Sequence, residues 1–270
     1  MLDTLKLILK EHWDYRHQIL GLALTEIKKE TRGTAFGWAW LIVKPAVYIS
    51  VFWFALELGL KAGSTTGSEA PFLLWLAAGL FPWFFMQDML SSGSNVYKKY
   101  PYLVNKLKFP VSVINTFFAL SKLIITCVLL GIVLAVCLIF GFNRSIYLIQ
   151  VPFIILIMGL FWILFSWMTS PLSAISGDFA NLIKVLSTPL FWLSGIIFNI
   201  HALGISTVET VLAFDPVNTF AMAFRDAFYY QRWVWESPDV YLPFILVFVA
   251  TFVVALLVQK ALRKDVADVL

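Results

Sequence analysis

Long apolar stretches, separated by short polar or charged segments, run through almost the whole sequence. A helix needs about 20 apolar residues to cross about 30 Å of hydrocarbon, and six stretches approach or exceed that length. They are predicted at 36–60, 71–91, 111–141, 146–172, 184–200 and 240–260. The pattern therefore predicts an all-α polytopic membrane protein with six transmembrane helices and both termini on one side.

The segment 1–35, before the first span, is amphipathic. Its apolar residues recur at helical spacing between charged ones, at Leu5, Leu9, Trp13, Leu20, Leu24 and Ile27. Such helices are expected to lie along the membrane interface, and the chain then bends into the first span near Gly33 and Gly37. We therefore expect cytoplasmic interface and gate helices at 1–35 and a six-span transmembrane domain at 36–270.

The connection between the fifth and sixth spans is long and mostly apolar. Two short apolar runs, 208–214 and 220–230, are separated by Asp215-Pro216, and proline disfavours helical geometry in the residue before it. This pattern predicts a re-entrant helical hairpin, whose backbone must turn against protein or a water-filled cavity. The alternative is a hairpin lying flat at the outer interface, anchored by the aromatic residues Tyr229, Tyr230, Trp233 and Trp235.

Composition and charge agree with a bilayer protein and orient it. The chain is 60% hydrophobic and 13% charged, with a net charge of +4. Thirteen of its 20 basic residues lie in the N-terminal segment, the second connection and the C-terminal tail, whereas the opposite connections hold only Lys61, Arg144, Arg225 and Arg232. The positive-inside rule then places both termini in the cytoplasm, as a multi-pass protein of the cytoplasmic membrane. The basic excess flanks spans, so nucleic acid is not an expected partner.

Several kinds of chemistry have no motif in the sequence. It contains no G-x-x-x-x-G-K-[ST] and no G-x-G-x-x-G string, so the chain is not expected to hydrolyse ATP. Cys127 and Cys137 lie ten positions apart on one predicted helix, about 15 Å, which is beyond disulfide reach. The three histidines have no ligand-spaced neighbours. We therefore expect no catalytic residue, no metal site and no cofactor.

Four short motifs resemble those of one family. The string Arg32-Gly33-Thr34-Ala35-Phe36-Gly37-Trp38-Ala39-Trp40, with Lys44-Pro45, is similar to the R-Y-R-G-S-x-L-G-x-x-W-x-x-x-x-P sequence of the membrane subunits of polysaccharide-exporting ABC transporters. Leu107-Lys108-Phe109-Pro110 resembles the family's K-x-F-P, Gly177-Asp178 its R-D, and Phe214-Asp215-Pro216 its N-P. Thr31, Gly177 and Asp215 replace the usual tyrosine, arginine and asparagine.

The resemblance implies a type-2 ABC permease of the O-antigen, teichoic-acid and capsule group. Such a permease is a homodimer joined to two copies of a cytoplasmic ABC ATPase subunit, which carries the ATP and Mg. The substrate implied is a long glycan on an isoprenoid diphosphate lipid, moved through a channel between the two permeases. The protein would then be a transport subunit in contact with membrane lipids, without enzymatic activity of its own.

The resemblance also suggests which residues contact the ATPase and the lipid headgroup. ATPase docking is expected in the second cytoplasmic connection, at Lys98, Lys99, Tyr100, Tyr102, Asn105 and Lys106, and after the fourth span at Asp178. The alternatives are a solvated, topology-setting loop and, for Asp178, a helix cap. Headgroup binding at the gate is expected at Lys28, Lys29 and Arg32, because basic side chains hold phosphates through charge-assisted hydrogen bonds. Ordinary phospholipid anchoring is the alternative there.

Aromatic residues of the first and fifth spans are candidates to line a glycan channel. An aromatic ring can hold the C–H face of a sugar through weak contacts that tolerate different sequences of sugars. The candidates are Trp38, Trp40, Tyr48, Trp53, Phe54, Phe191, Trp192 and Phe198. The alternative is that these rings only pack or anchor the helices.

Two rival functions remain open, beside a stand-alone channel and a membrane scaffold without transport. One is a type-2 ABC exporter of drugs or other lipids. The other is a proton-coupled carrier that uses Glu57 or Asp88 as a relay, since ionisable groups inside a membrane are usually functional. Both carboxylates are expected near the outer ends of their spans, and Lys44 and Lys122 are expected to extend toward the membrane surface.

Overall fold

A computed structural model describes residues 2–59, 61, 71–105, 109–200, 204–263 and 265–266. Within these ranges the chain forms α-helices joined by short turns, and no strand. The α-helices are α1 (Leu2–Asp14), α2 (Arg16–Thr31), α3 (Trp40–Trp53), α4 (Phe72–Ser91), α5 (Val96–Lys99), α6 (Pro101–Asn105), α7 (Val111–Phe140), α8 (Val151–Ile175), α9 (Gly177–Leu193), α10 (Ser206–Leu212), α11 (Pro216–Arg225) and α12 (Pro238–Leu262).

Five helical segments of the described chain are long and apolar enough to cross a membrane. They are Gly37–Gly59, Phe72–Lys99, Val111–Phe140, Ile146–Ile175 and Pro238–Leu262. Each matches one of the predicted spans, although the second also includes α5. The prediction of an all-α polytopic membrane protein is thereby confirmed.

The predicted bounds of the fifth span are wrong. The helix is α9, whose 17 residues begin seven positions before the predicted range 184–200 and end at Leu193. It cannot continue because Gly195 takes a left-handed conformation, with φ of +66°, which ends a helix. The apolar residues 194–200 therefore form turns.

The predicted connection 177–184 after the fourth span is also helical. Only Ser176 separates α8 from α9, and its hydroxyl accepts a hydrogen bond from Phe179 N at 3.3 Å. Ser176 is therefore the cap of α9, and Asp178 lies in the first turn, where a negative charge favours the helix dipole.

The second span is the centre of the bundle, and the first span lies at its edge. Of the apolar stretch of the second span 78% is buried, against 6% for the first. The α4 helix packs against α3, α7, α9 and α11. The first span thus rests on α4 and leaves most of its surface open.

The two N-terminal helices, which we call the arm (residues 2–31), fold back on one end of the bundle. The α2 helix packs along α7, and α1 contacts α7 and α12. The buried apolar residues of the arm are Ile8, Ile19, Ala23 and Ile27. A second apolar face is exposed, at Leu9, Trp13, Leu20 and Leu24. Two apolar faces are what a helix between a protein and a membrane interface requires.

The predicted hairpin consists of α10 and α11, which meet at Asp215-Pro216. Asp215 caps α11 by accepting hydrogen bonds from Val217 N at 3.0 Å and Asn218 N at 3.3 Å. Every residue from 217 to 225 is buried, and α11 packs against α4. Helix α11 therefore lies within the bundle at the end opposite the arm, which we call the hairpin end, whereas α10 has no buried residue.

Arg225 holds the hairpin in place. Its side chain is fully buried and donates hydrogen bonds to the carbonyl oxygens of Gly195 at 2.7 Å, Trp75 at 3.3 Å and Ile196. The guanidinium carbon lies 3.3 Å from the centre of the Trp75 ring. Arg225, counted from the sequence among the basic residues of the connections, is buried because the turn after α9 leaves carbonyl groups that its guanidinium satisfies.

Candidate functional site

Two adjoining cavities form one groove on the side of the bundle where α3 and α9 pack on α4. The larger measures about 490 Å³ and is also lined by α2 and α7. The smaller measures about 160 Å³ and reaches α9. Tyr48, Phe84 and Gln87 line both cavities, so the two spaces are neighbours. We call them together the aromatic groove.

Rings from three helices meet along this groove. Tyr48 on α3 lies edge-on to Phe84 on α4, with ring centres 5.9 Å apart. Phe191 on α9 lies 5.4 Å from Phe52 and 5.5 Å from Trp83. These separations are typical of interacting aromatic pairs. The groove therefore has a continuous aromatic wall rather than isolated rings.

Charged groups line the end of the groove nearest the arm. Lys122 on α7 is 8% exposed, and its Nζ lies 3.2 Å from Asp88 Oδ2 on α4. Lys122 also forms an ion pair with Glu30 of the arm. Lys44 lines the same cavity. This ion cluster (Glu30, Asp88 and Lys122) joins the arm to two helices of the bundle.

The ion cluster corrects two expectations. Asp88 lies beside the arm and not at the outer end of its span, because α4 runs from the hairpin end toward the arm. Lys122 does not extend to the membrane surface, since it is paired inside the protein.

The structure brings together some of the predicted channel residues. Trp40 and Tyr48 line the larger cavity, and Tyr48 and Phe191 the smaller. Trp192 is exposed and packs edge-on to Phe191, with ring centres 5.7 Å apart.

The remaining predicted channel residues lie outside both cavities. Trp38 and Phe54 are exposed on the first span. Trp53 and Phe198 are half-buried against the core. These four rings therefore have no direct place in the groove of a single chain.

The predicted headgroup residues surround the end of α2. Lys28, Lys29 and Arg32 are all exposed, and the Lys29 Nζ lies 5.6 Å from the centre of the Tyr100 ring. Their neighbours Glu30 and Thr31 line the larger cavity. The three basic side chains thus lie on the surface around the arm end of the groove.

Some residues of the predicted docking segment contact the arm, and others lie on the surface. Lys99 forms an ion pair with Glu26 of the arm at 2.6 Å, and its Nζ lies 5.5 Å from the Tyr100 ring centre. Lys98 and Tyr102 are exposed. Lys106 and the side chain of Asn105 lie outside the described residues. Lys98 and Tyr102 thus lie on the surface of this segment.

Two titratable groups of the arm are perturbed by its packing. Burial has the largest single effect and raises the pKa of Glu26, but the interactions with Lys99, Tyr100 and Lys29 together outweigh burial, so the pKa lies below its ordinary value. His12 donates from Nδ1 to Ile8 O at 2.7 Å, and its Nε2 lies 2.7 Å from Thr116 Oγ1. Burial lowers the pKa of His12 from 6.5. Both pKa shifts follow from the packing of the arm against the bundle.

Several residues of the aromatic groove were not predicted from the sequence. Phe52, Trp83, Phe84 and Gln87 complete the aromatic groove but were not predicted. The spacing of Tyr48 and Phe52, four residues apart on one helix, is the signal that could have found Phe52. No group of three His, Cys, Asp or Glu within the described ranges could hold a metal ion.

The fold is that of a multi-span α-helical membrane protein with the aromatic groove on one side of its bundle. Residues 17–229 match the ABC-2 type transporter family, and the chain belongs to this family. It is therefore the permease subunit of a type-2 ABC transporter, a class that works with an ABC ATPase subunit.

A similar curated protein is the O-antigen export system permease protein RfbA of Myxococcus xanthus. It is 19% identical to this chain over 226 residues, which cover 83% of this chain and 85% of the relative. The match therefore extends over most of both proteins.

Proposed function

We propose that this chain is the channel-forming subunit of an ATP-driven exporter for an isoprenoid-diphosphate-linked polysaccharide, such as O-antigen or teichoic acid. The observation that carries the proposal is the aromatic groove, which combines rings from α3, α4 and α9 with the amide of Gln87. Rings contact the C–H faces of sugars, and an amide can exchange hydrogen bonds with hydroxyl groups. The relative's role in O-antigen export supports the same substrate class.

A polymer that slides through a channel needs repeated weak contacts rather than one tight site. Aromatic contacts are worth about 0.5–1.5 kcal/mol each, which is small enough to be broken repeatedly. The ion cluster lies at the arm end of the groove, where a phosphorylated lipid would enter next to Arg32. The groove thus offers charge at its entrance and rings along its length.

We propose that two copies of the chain close the channel. The first span exposes apolar residues over most of its surface, including Val47, Val51, Phe54 and Leu58, and α9 exposes Leu182, Val185 and Trp192. In a two-fold dimer the same surface meets its own copy, so the two aromatic grooves would face a shared path. Trp38 and Phe54 would then lie at the dimer contact.

The proposed topology has six spans and both termini in the cytoplasm. Consecutive long helices alternate in direction, and α9 runs from Ser176 beside the end of α8 to Gly195, which contacts the hairpin. Counting α9 as a span returns α12 to the arm end. The basic residues of the arm and of the second connection support a cytoplasmic arm end.

Motion of the ATPase would reach the groove through the arm. Lys98 and Tyr102 are exposed next to Lys99, which is paired with Glu26 of α2. Glu30 at the end of the same helix is paired with Lys122 in the groove wall. A displacement at α5 would therefore be transmitted by α2 to the groove within about four residues of helix, close to 6 Å.

The test is glycan export by the permease together with its ATPase in reconstituted vesicles. Replacing Tyr48 and Phe191 with alanine removes two rings from the groove and should slow export of long chains about fivefold or more, because about 1–3 kcal/mol of contact is lost. Phe140→Ala is the matched control, since this ring is exposed at the far end of α7 and outside the groove. Copurification with the ATPase should be unchanged in all variants.

The same assay separates the rival functions. Wild-type export by the double variant would contradict the channel role of the rings. ATPase activity stimulated by a drug or by a lipid without sugar, but not by the glycan, would identify an exporter of another class. Solute uptake driven by a proton gradient without the ATPase would identify a carrier.

A further inference from the structure

A second groove, separate from the aromatic groove, lies at the hairpin end of the bundle. It measures about 600 Å³ and is formed by α8, α11, α12 and the segment around Trp233. It shares no lining residue with the aromatic groove. We call it the lateral groove.

The polar groups that line the lateral groove are bonded away from it. Gln150 donates to Arg232 O at 2.8 Å and accepts from Val234 N at 3.1 Å. The Tyr241 hydroxyl donates to Asp226 Oδ2 at 2.6 Å, and the Thr219 hydroxyl donates to Asp215 O at 3.0 Å. Water needs polar partners to occupy a cavity, so this surface favours hydrocarbon.

The dimensions of the lateral groove fit one leaflet of a bilayer. Its wall along α8 and the short helical turn before it extends from Ile149 to Ile157, about 12 Å along the helix axis. One leaflet contributes about half of the 30 Å hydrocarbon core, or about 15 Å. Because α8 and α12 are both membrane spans, the groove opens toward the acyl chains of the leaflet at the hairpin end.

The mouth of the lateral groove has the features of a membrane interface. Trp233 and Trp235 stack with ring centres 4.5 Å apart, and Trp235 is exposed. Tryptophan is enriched where headgroups meet hydrocarbon. Arg232 and Glu236 flank this pair in the chain; Glu236 is exposed, and Arg232 is half-buried with its Nε 2.6 Å from Oδ1 of the buried Asp226.

We propose that the lateral groove binds one acyl chain of a zwitterionic phospholipid from the leaflet at the hairpin end. Arg232 stays paired with Asp226 through Nε and receives the phosphate at its two terminal nitrogens, and the exposed Glu236 receives the ammonium group, while the acyl chain lies against Phe244 and Ile154. A bound chain completes the packing between the hairpin and α12. The lipid is therefore a structural ligand of the hairpin and not the exported substrate.

The test uses the full chain in nanodiscs that contain a phosphatidylethanolamine with a photoreactive group in the middle of its acyl chain. Ile157→Trp and Ile245→Trp place a ring in the groove from two walls and should lower labelling of α8 and α12 about tenfold, since displacing even two methylene groups has that effect. Leu156→Trp and Leu246→Trp are matched controls, because these neighbours are exposed but do not line the groove. They should leave labelling unchanged.

Three results would overturn the proposal. The first is equal labelling in the groove variants and in their neighbours, which would mean that only bulk lipid contacts this surface. The second is a crosslink between two copies of the chain in place of a lipid adduct. The third is equal or stronger labelling by a phosphatidylglycerol probe at the same mole fraction, which would show that binding does not require a zwitterionic headgroup. Thermal unfolding of all four variants checks that each is folded.

Discussion

Lys122 offers the sharpest test of how the arm is held. Lys122→Met keeps the length of the side chain and removes its charge, so the carboxylates of Glu30 and Asp88 remain without their cation. Breaking a buried ion pair typically costs about 3–5 kcal/mol. The side chains of Glu30 and Asp88 are 30% and 43% exposed, so water replaces part of the lost interaction. We therefore expect a loss of about 2–3 kcal/mol in the free energy of unfolding.

Thermal unfolding of the purified protein in detergent measures this loss. A change of about 2–3 kcal/mol corresponds to a fall in Tm of about 4–12 °C for a chain of this size. Lys184→Met is the matched control, because Lys184 is exposed on α9 and its loss should stay within about 0.5 kcal/mol. The triple variant Lys122→Met, Glu30→Gln and Asp88→Asn should recover most of the stability, since no unpaired charge remains.

Two results would refute this reasoning. Lys122→Met could unfold at the same temperature as Lys184→Met, and the ion cluster would then contribute nothing to stability. The triple variant could be no more stable than the single one, in which case the loss would come from packing and not from the unpaired carboxylates.

Three further predictions concern packing, capping and pH. Gly79→Ala places a Cβ 2.6 Å from Arg225 Nη2 and should destabilise the protein by about 1–3 kcal/mol in thermal unfolding. Gly131→Ala is the control, because its Cβ would have nothing within 4 Å, and it should be neutral or slightly stabilising. Equal effects of the two substitutions would contradict the close approach of Gly79 to Arg225. Asp215→Ala should lower the free energy of unfolding by about 1 kcal/mol and Asp215→Asn by much less, because alanine lacks a side-chain acceptor for the N-terminal amides of α11 and asparagine keeps one. A different order of the Tm values would contradict this cap. Because the pKa of His12 in the folded protein is lowered from 6.5, the unfolded chain binds the proton first as the pH falls, so stability should decrease as the pH is lowered past 6.5 and level off below the folded pKa. His12→Gln should flatten this dependence in Tm measurements, and an unchanged pH profile would show that another group is responsible.

The sequence predicted the bounds of the five long apolar helices better than the bounds of α9. Long apolar runs have one solution in hydrocarbon, so 111–141 was predicted within a residue of the observed α7. The α9 helix begins with Gly177 and Asp178, which lower its apparent hydropathy, and the apolar residues that follow it are turned by Gly195. Hydropathy alone carries no information on such a turn.

The sequence predicted residues of the candidate site on α3 and α9 but not those on α4. Tyr48 and Phe191 were identified, but their partners on α4 were not, because α4 is apolar on all sides and its sequence has no periodicity to indicate a facing surface. The pairing of Glu30 with Lys122 joins residues 92 positions apart. Contacts of that kind follow from the tertiary arrangement of helices and not from any local pattern.

The weak attachment of the first span has a mechanical consequence. A helix with only 6% of its apolar stretch enclosed by its own chain can tilt or translate without opening a void in the bundle. Its displacement therefore costs little, whereas moving the second span would disrupt packing on every side. In the proposed dimer, a channel bordered by this span would change its width to fit a branched or a linear glycan.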